Sequence, residues 1–240
     1  MKVVTVLAAL TFSTGALAGG VGYIADYDYQ VTDVARLGLS KERLFSRLER
    51  GMLDLKKSIC ANRAHLWAYD LFRFHNVNPG KIFIFFGRSM WVNEPEGWMY
   101  HVAPYIVDGD EEFVMEASYD DVTRPLTVNE WIENETDGRF KANECIDITA
   151  ADTDLTEYFY NRYNLPEVRD PGRKSARCYI RRVPGYYVYP TGIALHELKR
   201  DEKGNEVEYN PKAFSIEDVL HACVDATQGK KSQCKRYLGY

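Results

Sequence analysis

Hydrophobic and polar positions along the chain predict two helices, then a group of strands, then short helices. Apolar residues recur at helical spacing over residues 40–57, which predicts an amphipathic helix beginning at Ser40. Its apolar face consists of Leu44, Leu48, Met52 and Leu55. A second helix is predicted from Ser58, as N-cap, to the turn "NVNPG" at residues 76–80.

Three dense apolar runs follow and predict a sheet. "KIFIFFG" (81–87) and "WMYHVAPYIV" (98–107) are typical of buried strands. A turn of hairpin length, "DGDEE", joins the second run to a third, "FVMEAS" (113–118). Thr127 and Glu130 then have the spacing of a capping box and predict the start of a short helix.

The rest of the chain predicts shorter elements. These are a helix over 152–163, strands over 178–190, a hairpin over 193–210 and a last helix over 215–226. Helices at both ends and mostly antiparallel strands between them predict an α+β fold.

The first residues predict a signal for export. Lys2 precedes a short apolar run, and Ala16-Leu17-Ala18 is a small-residue cleavage site. No later segment is long and apolar enough for a membrane helix, so we expect a secreted or periplasmic protein without a membrane partner. The formal net charge of −5, without a dominant basic patch, argues against a nucleic-acid partner.

Five cysteines in an exported chain leave at least one unpaired, as a reactive thiol, an intermolecular link or an inert side chain. Cys223 and Cys234 are close enough in sequence to pair, and Cys145 could then pair with Cys178. Cys60 would remain free, in the first turn of the second predicted helix. Backbone amides and the helix dipole favour a thiolate there, and a thiolate with an imidazole partner can attack a carbonyl carbon.

His101 and Glu116 are the candidate partners of this thiol. His65 lies on the same predicted helix as Cys60, roughly 140° around its axis, and cannot face it. His101 lies in an apolar strand, where a polar ring needs a partner, although strand histidines are often structural. Glu116 lies in the next strand, as a buried acid or, alternatively, as an edge-facing glutamate.

These segments resemble the bacterial protein-glutaminases. "CANRAHLWAYDLF", from Cys60, resembles the nucleophile segment of that family, which carries a Cys-x-x-Arg-Ala-His signature. "GWMYHVAPYIV" resembles its histidine strand, with the pattern Trp-x-Tyr-His-Val-Ala. "FVMEASYDDVTRPLTVNEWI" resembles the acid-bearing segment that follows. The resemblance covers about residues 55–135, and the first two motifs together are fairly specific.

The resemblance implies a papain- or transglutaminase-like α+β fold, with the nucleophile at a helix N-terminus packed on a mostly antiparallel sheet. It implies a triad of Cys60 as nucleophile, His101 as general acid/base and Glu116 as orienting acid, with no metal or other cofactor. The family's acid is normally Asp, so Asp120 and Asp121 are alternatives to Glu116. The implied reaction is deamidation of glutamine side chains in proteins or peptides, by what we expect to be a monomer.

Trp98 and Tyr100 are candidate substrate-binding residues, with ordinary packing as the alternative. A cysteine protease or a transglutaminase would use the same thiol and imidazole. A secreted binding protein built on a dead enzyme scaffold would need neither group. We divide the chain into a signal peptide (1–18), an N-terminal helical arm (19–57) and a catalytic domain (58–240).

Overall fold

The computed structural model describes residues 23–24, 29–51, 53, 55, 58–86, 100–147, 178–188 and 214–240. Its helices are α1 (Lys41–Glu49), α2 (Cys60–His75), α3 (Val128–Glu135), α4 (Ile216–Ala226) and α5 (Lys231–Leu238), with a 3-10 helix at Ala142–Glu144. Its strands are β1 (Tyr23–Ile24), β2 (Tyr29–Gln30), β3 (Gly80–Phe86), β4 (Tyr100–Asp108), β5 (Glu111–Val114), β6 (Leu126–Thr127), β7 (Ile146–Asp147) and β8 (Cys178–Pro184). The predicted signal peptide, the helix over 152–163 and the hairpin over 193–210 lie outside the described residues.

A six-stranded sheet in the order β6-β5-β4-β3-β8-β7 organises the described chain. Its pairs are antiparallel except β7 with β8, and β1 and β2 form a separate antiparallel pair. The central strand β3 places Ile84 opposite His101 on one side and Ile180 on the other. The predicted α+β class with a mostly antiparallel sheet is confirmed.

The helix α2 links two apolar clusters of the core. Its first turns contribute Ala61 and Ala64 to the cluster around β3, β4 and β8. Further along, Leu66 and Leu71 join the cluster that also contains residues of α1, α4 and α5. Each large apolar side chain buried in this way contributes roughly 1.5–3 kcal/mol to stability. The small alanines allow the start of α2 to lie close to the sheet, which places Cys60 beside β4.

The helix α1 is shorter than its apolar pattern predicts. Ser40 caps it as expected, accepting a hydrogen bond from the Arg43 amide, but the helix ends at Glu49 rather than near residue 57. Leu53 and Leu55 are both buried. The described residues 51, 53 and 55 are not helical, so the chain buries these two side chains after α1 has ended. The division of the chain at residue 57 stays a prediction.

Two disulfides form as the cysteine spacing predicts. Cys145 pairs with Cys178, which ties the segment before β7 to the start of β8. Cys223 pairs with Cys234, which ties α4 to α5. Cys60 remains a free, half-buried thiol. Within the described ranges, no helix has the length and apolar character needed to cross a membrane.

The C-terminal helix α5 is held to α2 by a partly buried hydrogen bond that should make stability depend on pH. Tyr237 donates its hydroxyl to Oδ1 of Asp70 at 2.5 Å, and burial raises the pKa of Asp70 to about 6 despite this bond. The folded state therefore binds this proton more tightly than the unfolded chain, and stability falls as pH rises from the ordinary value of 3.8 through about 6.

We expect Asp70→Asn to remove this dependence because the amide carries no charge at any pH. Between about pH 4 and about pH 7, the fall in unfolding free energy should be smaller in the variant by roughly 2.5 kcal/mol. Urea unfolding at several pH values measures it. Glu217→Gln, on the exposed face of α4, is the control and should behave as the wild type. Identical pH profiles for Asp70→Asn and wild type would contradict the interpretation.

Candidate active site

Cys60 is the first helical residue of α2, one position earlier than predicted. Ile59, with an extended backbone, is the N-cap, whereas Ser58 turns its hydroxyl back to donate to the Leu55 carbonyl at 2.7 Å. Ser58 is thus not the cap, because its side chain is engaged with the preceding turn. The first intrahelical amide donor is that of Arg63, which bonds the Ile59 carbonyl. The Cys60 amide lies in the first turn, where the helix itself offers no acceptor.

His101 lies in the interior strand β4, beside this helix start, and is fully buried. Its ring packs against the rings of Trp131 and Tyr119, at centroid distances of 6.0 and 6.3 Å. The Cys60 side chain is one of the groups that raise the pKa of this ring, which places the thiol within interaction range of His101. The Cys60 sulfur also lies 3.9 Å from the Tyr100 carbonyl oxygen, in the same strand. The strand therefore holds the ring at the free thiol.

Glu116 reaches His101 from beyond the end of its strand. The predicted strand over 113–118 ends at Val114, because the next partner, Pro104, accepts a bond from the Met115 amide but has no amide to return. Oε2 of Glu116 nevertheless lies 2.8 Å from Nε2 of His101, and both side chains are buried.

The alternative acids, Asp120 and Asp121, are both exposed. The structure thus brings Glu116, rather than either aspartate, to the imidazole of His101.

The Glu116 carboxylate is held by further polar groups. Ser118 donates its hydroxyl and its amide to Oε1, the amide at 3.3 Å, and Nε of Arg63 lies 3.6 Å from the same oxygen. Burial by itself raises the pKa of Glu116, but the charge and hydrogen bond of His101, with Arg63 and Ser118, outweigh it and lower the pKa below its ordinary value. Glu116 is therefore a buried carboxylate at neutral pH.

His101 is correspondingly charged. Burial alone would lower the pKa of its ring. The carboxylates of Glu135 and Glu116, with the nearby Cys60 side chain and the hydrogen bond to Glu116, oppose burial and raise the pKa well above its ordinary value. Because Nε2 is hydrogen-bonded to Glu116, Nδ1 is the ring nitrogen that can exchange a proton with the thiol. The site is an imidazolium between a sulfur and a carboxylate, an arrangement suited to nucleophilic catalysis.

Sequence reasoning assigned no role to four groups around this pair: Arg63, Ser118, Tyr119 and Glu135. Glu135 had a readable signal, since it continues the stripe of Val128, Trp131 and Ile132 at helical spacing. The capping box of α3, formed by Thr127 and Glu130, was predicted and is confirmed. It fixes the register of that stripe and so turns Glu135 inward.

Three residues of the site, His101, Glu116 and Glu135, form a possible ligand set for a metal ion. Each offers one donor atom, and these atoms lie within 4.8 Å of one another. A cation at this point would displace the proton of His101 and lie close to the Arg63 guanidinium. Two positive groups already occupy the site, so the residues fit a hydrogen-bonded charge cluster better than a metal ion.

The two candidate substrate-binding residues differ in what the structure shows. Tyr100 is half-buried, and its ring lies 5.7 Å from that of Phe83 and 6.1 Å from that of Phe85. The ring therefore packs on the sheet next to the thiol. Trp98 lies outside the described residues. Their contact with substrate stays a prediction.

Comparison with known proteins points to one family. A sequence model for the family described as glutaminase matches residues 42–135, the segment that carries Cys60, His101 and Glu116. No curated protein matches the chain. A solved structure similar to it is the NMR structure of protein-glutaminase from Chryseobacterium proteolyticum, at 14% identity and a TM-score of 0.40, covering 82% of this chain and 86% of that one. The family match confirms the resemblance to the glutaminases.

The pairing of Cys60 with His101 can be tested by alkylation of the thiol with iodoacetamide. An imidazole beside the sulfur can take up the thiol proton and leave the nucleophilic thiolate, so His101→Gln should slow alkylation by about tenfold or more. Intact-mass spectrometry measures the rate. His221→Gln, at an exposed position of α4, should leave the rate unchanged. Equal rates in His101→Gln and wild type would show that the ring does not act on this sulfur.

Proposed function

Because residues 42–135 match the glutaminase family, we propose that the protein hydrolyses glutamine side-chain amides in proteins or peptides, giving glutamate and ammonia. One observation carries the proposal. A buried imidazole lies between the free thiol at the start of α2 and a buried carboxylate, within the matched segment. We further propose an exported protein, which the two disulfides support.

The reaction begins with attack by the Cys60 sulfur on the carbon of the glutamine side-chain amide. The thiol proton resides on His101, so that the attacking group is a thiolate and the ring is an imidazolium. The carbon–sulfur bond forms while the carbonyl electron pair moves to oxygen, which gives a tetrahedral oxyanion. The helix α2 presents the thiolate at its positive end.

Backbone amides at the start of α2 are suited to hold this oxyanion. The Cys60 amide belongs to the first turn of the helix, ahead of the first intrahelical donor, Arg63. A donor that is already oriented stabilises the charge as it develops and needs no reorganisation. The Cys60 residue would then supply both the nucleophile and one oxyanion donor.

Collapse of the tetrahedral intermediate releases ammonia. His101 gives its proton to the departing amide nitrogen, the carbon–nitrogen bond breaks, and a thioester to Cys60 remains. The neutral imidazole then takes a proton from water, whose oxygen attacks the thioester carbon. Breaking of the carbon–sulfur bond gives glutamate and restores the thiolate and imidazolium.

Glu116 keeps His101 in the orientation and protonation state that these steps require. Its bond to Nε2 fixes the tautomer of the neutral ring, so that Nδ1 faces the sulfur. Its charge also stabilises the imidazolium, because both side chains are buried. The extra methylene of Glu, relative to the family's usual Asp, suits a position beyond the end of β5, from which the carboxylate must reach back to β4.

An assay of two products tests the proposed reaction. Incubation with a glutamine-rich protein should release ammonia without new peptide termini, and Cys60→Ala should abolish the release. New termini would indicate a protease instead. Incorporation of a fluorescent amine in place of release of glutamate would indicate a transglutaminase. Neither product under reducing conditions would contradict an enzymatic role and favour a binding protein.

Replacement of Glu116 tests the orienting acid. Glu116→Gln keeps the shape but removes the charge and the tautomer control, so kcat should fall by about a thousandfold or more. Glu116→Asp keeps the charge at a shorter reach and should retain more activity than the Gln variant. Steady-state ammonia release measures both variants. Activity of Glu116→Gln close to wild type would rule out this role for Glu116.

A further inference from the structure

A second carboxyl group, that of Glu135, lies against the imidazole of His101. Glu135 is the last residue of α3, and its side chain is 5% exposed. Its Oε1 lies 3.8 Å from Nε2 of His101, the same ring nitrogen that is bound to Glu116. The mechanism above assigns this group no role.

The contacts of Glu135 orient it toward the ring. Tyr119 donates its hydroxyl to Oε2 at 3.2 Å, which leaves Oε1 directed at His101. Oε1 makes no hydrogen bond within the described residues. On the same helix, Trp131 packs against the His101 ring. The helix α3 therefore contributes both an aromatic wall and a carboxyl group to the imidazole.

The ionisation of Glu135 decides the net charge of the group of residues around His101. The titratable and charged groups that face His101 and Glu135 are Cys60 and Arg63 from α2, and Glu116 and Tyr119 from the segment after β5. When Cys60 is a thiolate, it and Glu116 balance the cations of His101 and Arg63. An ionised Glu135 then adds one negative charge, next to the imidazolium and away from bulk water.

We propose that Glu135 is a positioning residue of this site, whose carboxyl group, beside that of Glu116, keeps the His101 ring charged and oriented toward Cys60. The proposal deepens the deamidase function and rests on it for its catalytic meaning. Glu135 touches no reacting atom, because it lies at the Nε2 side of the ring and the thiol uses the other nitrogen. Its effect on the reaction passes through His101.

The two carboxyl groups are expected to titrate as a coupled pair. Burial, with the nearby charge of Glu116, raises the pKa of Glu135 above its ordinary value, whereas the pKa of Glu116 is lowered. Glu135 is the member of the pair that loses its proton at the higher pH. Once it has lost its proton, its charge opposes deprotonation of His101, so it extends the charged form of the ring to higher pH.

The test is the variant Glu135→Gln, read by the titration of His101. We expect His101 to lose its proton at a pH lower by about one unit or more, because a charge 3.8 Å away has been removed. Nitrogen NMR of protein with labelled histidine rings measures this directly, with the His101 signal assigned by its loss in His101→Gln. The alkaline limb of kcat/KM for ammonia release should shift to lower pH by the same amount.

Glu133→Gln is the matched control. It is the same replacement two residues earlier on α3, where the carboxylate accepts a bond from Asn129 instead of facing the site. It should leave both titrations unchanged. Glu135→Asp, which keeps the charge but withdraws it from the ring by one methylene, should shift them in the same direction as Glu135→Gln but less.

Failure of this proposal can be distinguished from failure of the proposed function. An unshifted His101 titration in folded Glu135→Gln would overturn the role of Glu135, whatever the enzyme hydrolyses. If Glu135→Gln fails to fold, an unshifted titration in Glu135→Asp would overturn it instead. If the NMR titration shifts in Glu135→Gln but the wild type releases no ammonia, the coupling of Glu135 to His101 stands and deamidation is rejected.

Discussion

The buried pair of His101 and Glu116 is the constraint on which the rest of the site depends. A charge in the interior of a protein is costly unless a partner lies at hydrogen-bond distance. Here an imidazolium and a carboxylate lie 2.8 Å apart, both fully buried. Either one alone would shift toward its neutral form, and the thiol of Cys60 would then face a ring without charge. The ability of the ring to keep a proton taken from the thiol thus depends on its carboxylate neighbours, of which Glu116 is the one at hydrogen-bond distance.

The fold maintains the pair by bringing three separate segments to one point. The sheet supplies His101 from an interior strand, α2 presents Cys60 at its first position, and the chain after β5 returns Glu116 to the ring. Arg63, in the first turn of α2, lies 3.6 Å from the carboxylate and donates to the Ser58 carbonyl at 2.6 Å. The start of the nucleophile helix is thereby connected to the acid, so displacement of one group disturbs the others.

Much of this arrangement could be predicted from the sequence, because its signals are local. Dense apolar runs gave the strands, and elimination among the cysteines left Cys60 free. The errors arise where a tertiary contact decides a local feature. Ser58 is a residue type that often caps helices, but its hydroxyl donates to the Leu55 carbonyl in the preceding turn. The third predicted strand ends where its partner residue, Pro104, has no amide to donate. The apolar stripe of α3 indicates that Glu135 faces inward, but it does not indicate that the ring of His101 lies opposite.

Identification of the covalent intermediate tests the account most directly. A peptide with one internal glutamine is mixed with the enzyme, the reaction is stopped in acid, and the adduct is located by mass spectrometry. The account predicts the whole peptide, less one ammonia, bound as a thioester to Cys60. An adduct that lacks the C-terminal part of the peptide, or one on any other residue, would contradict it.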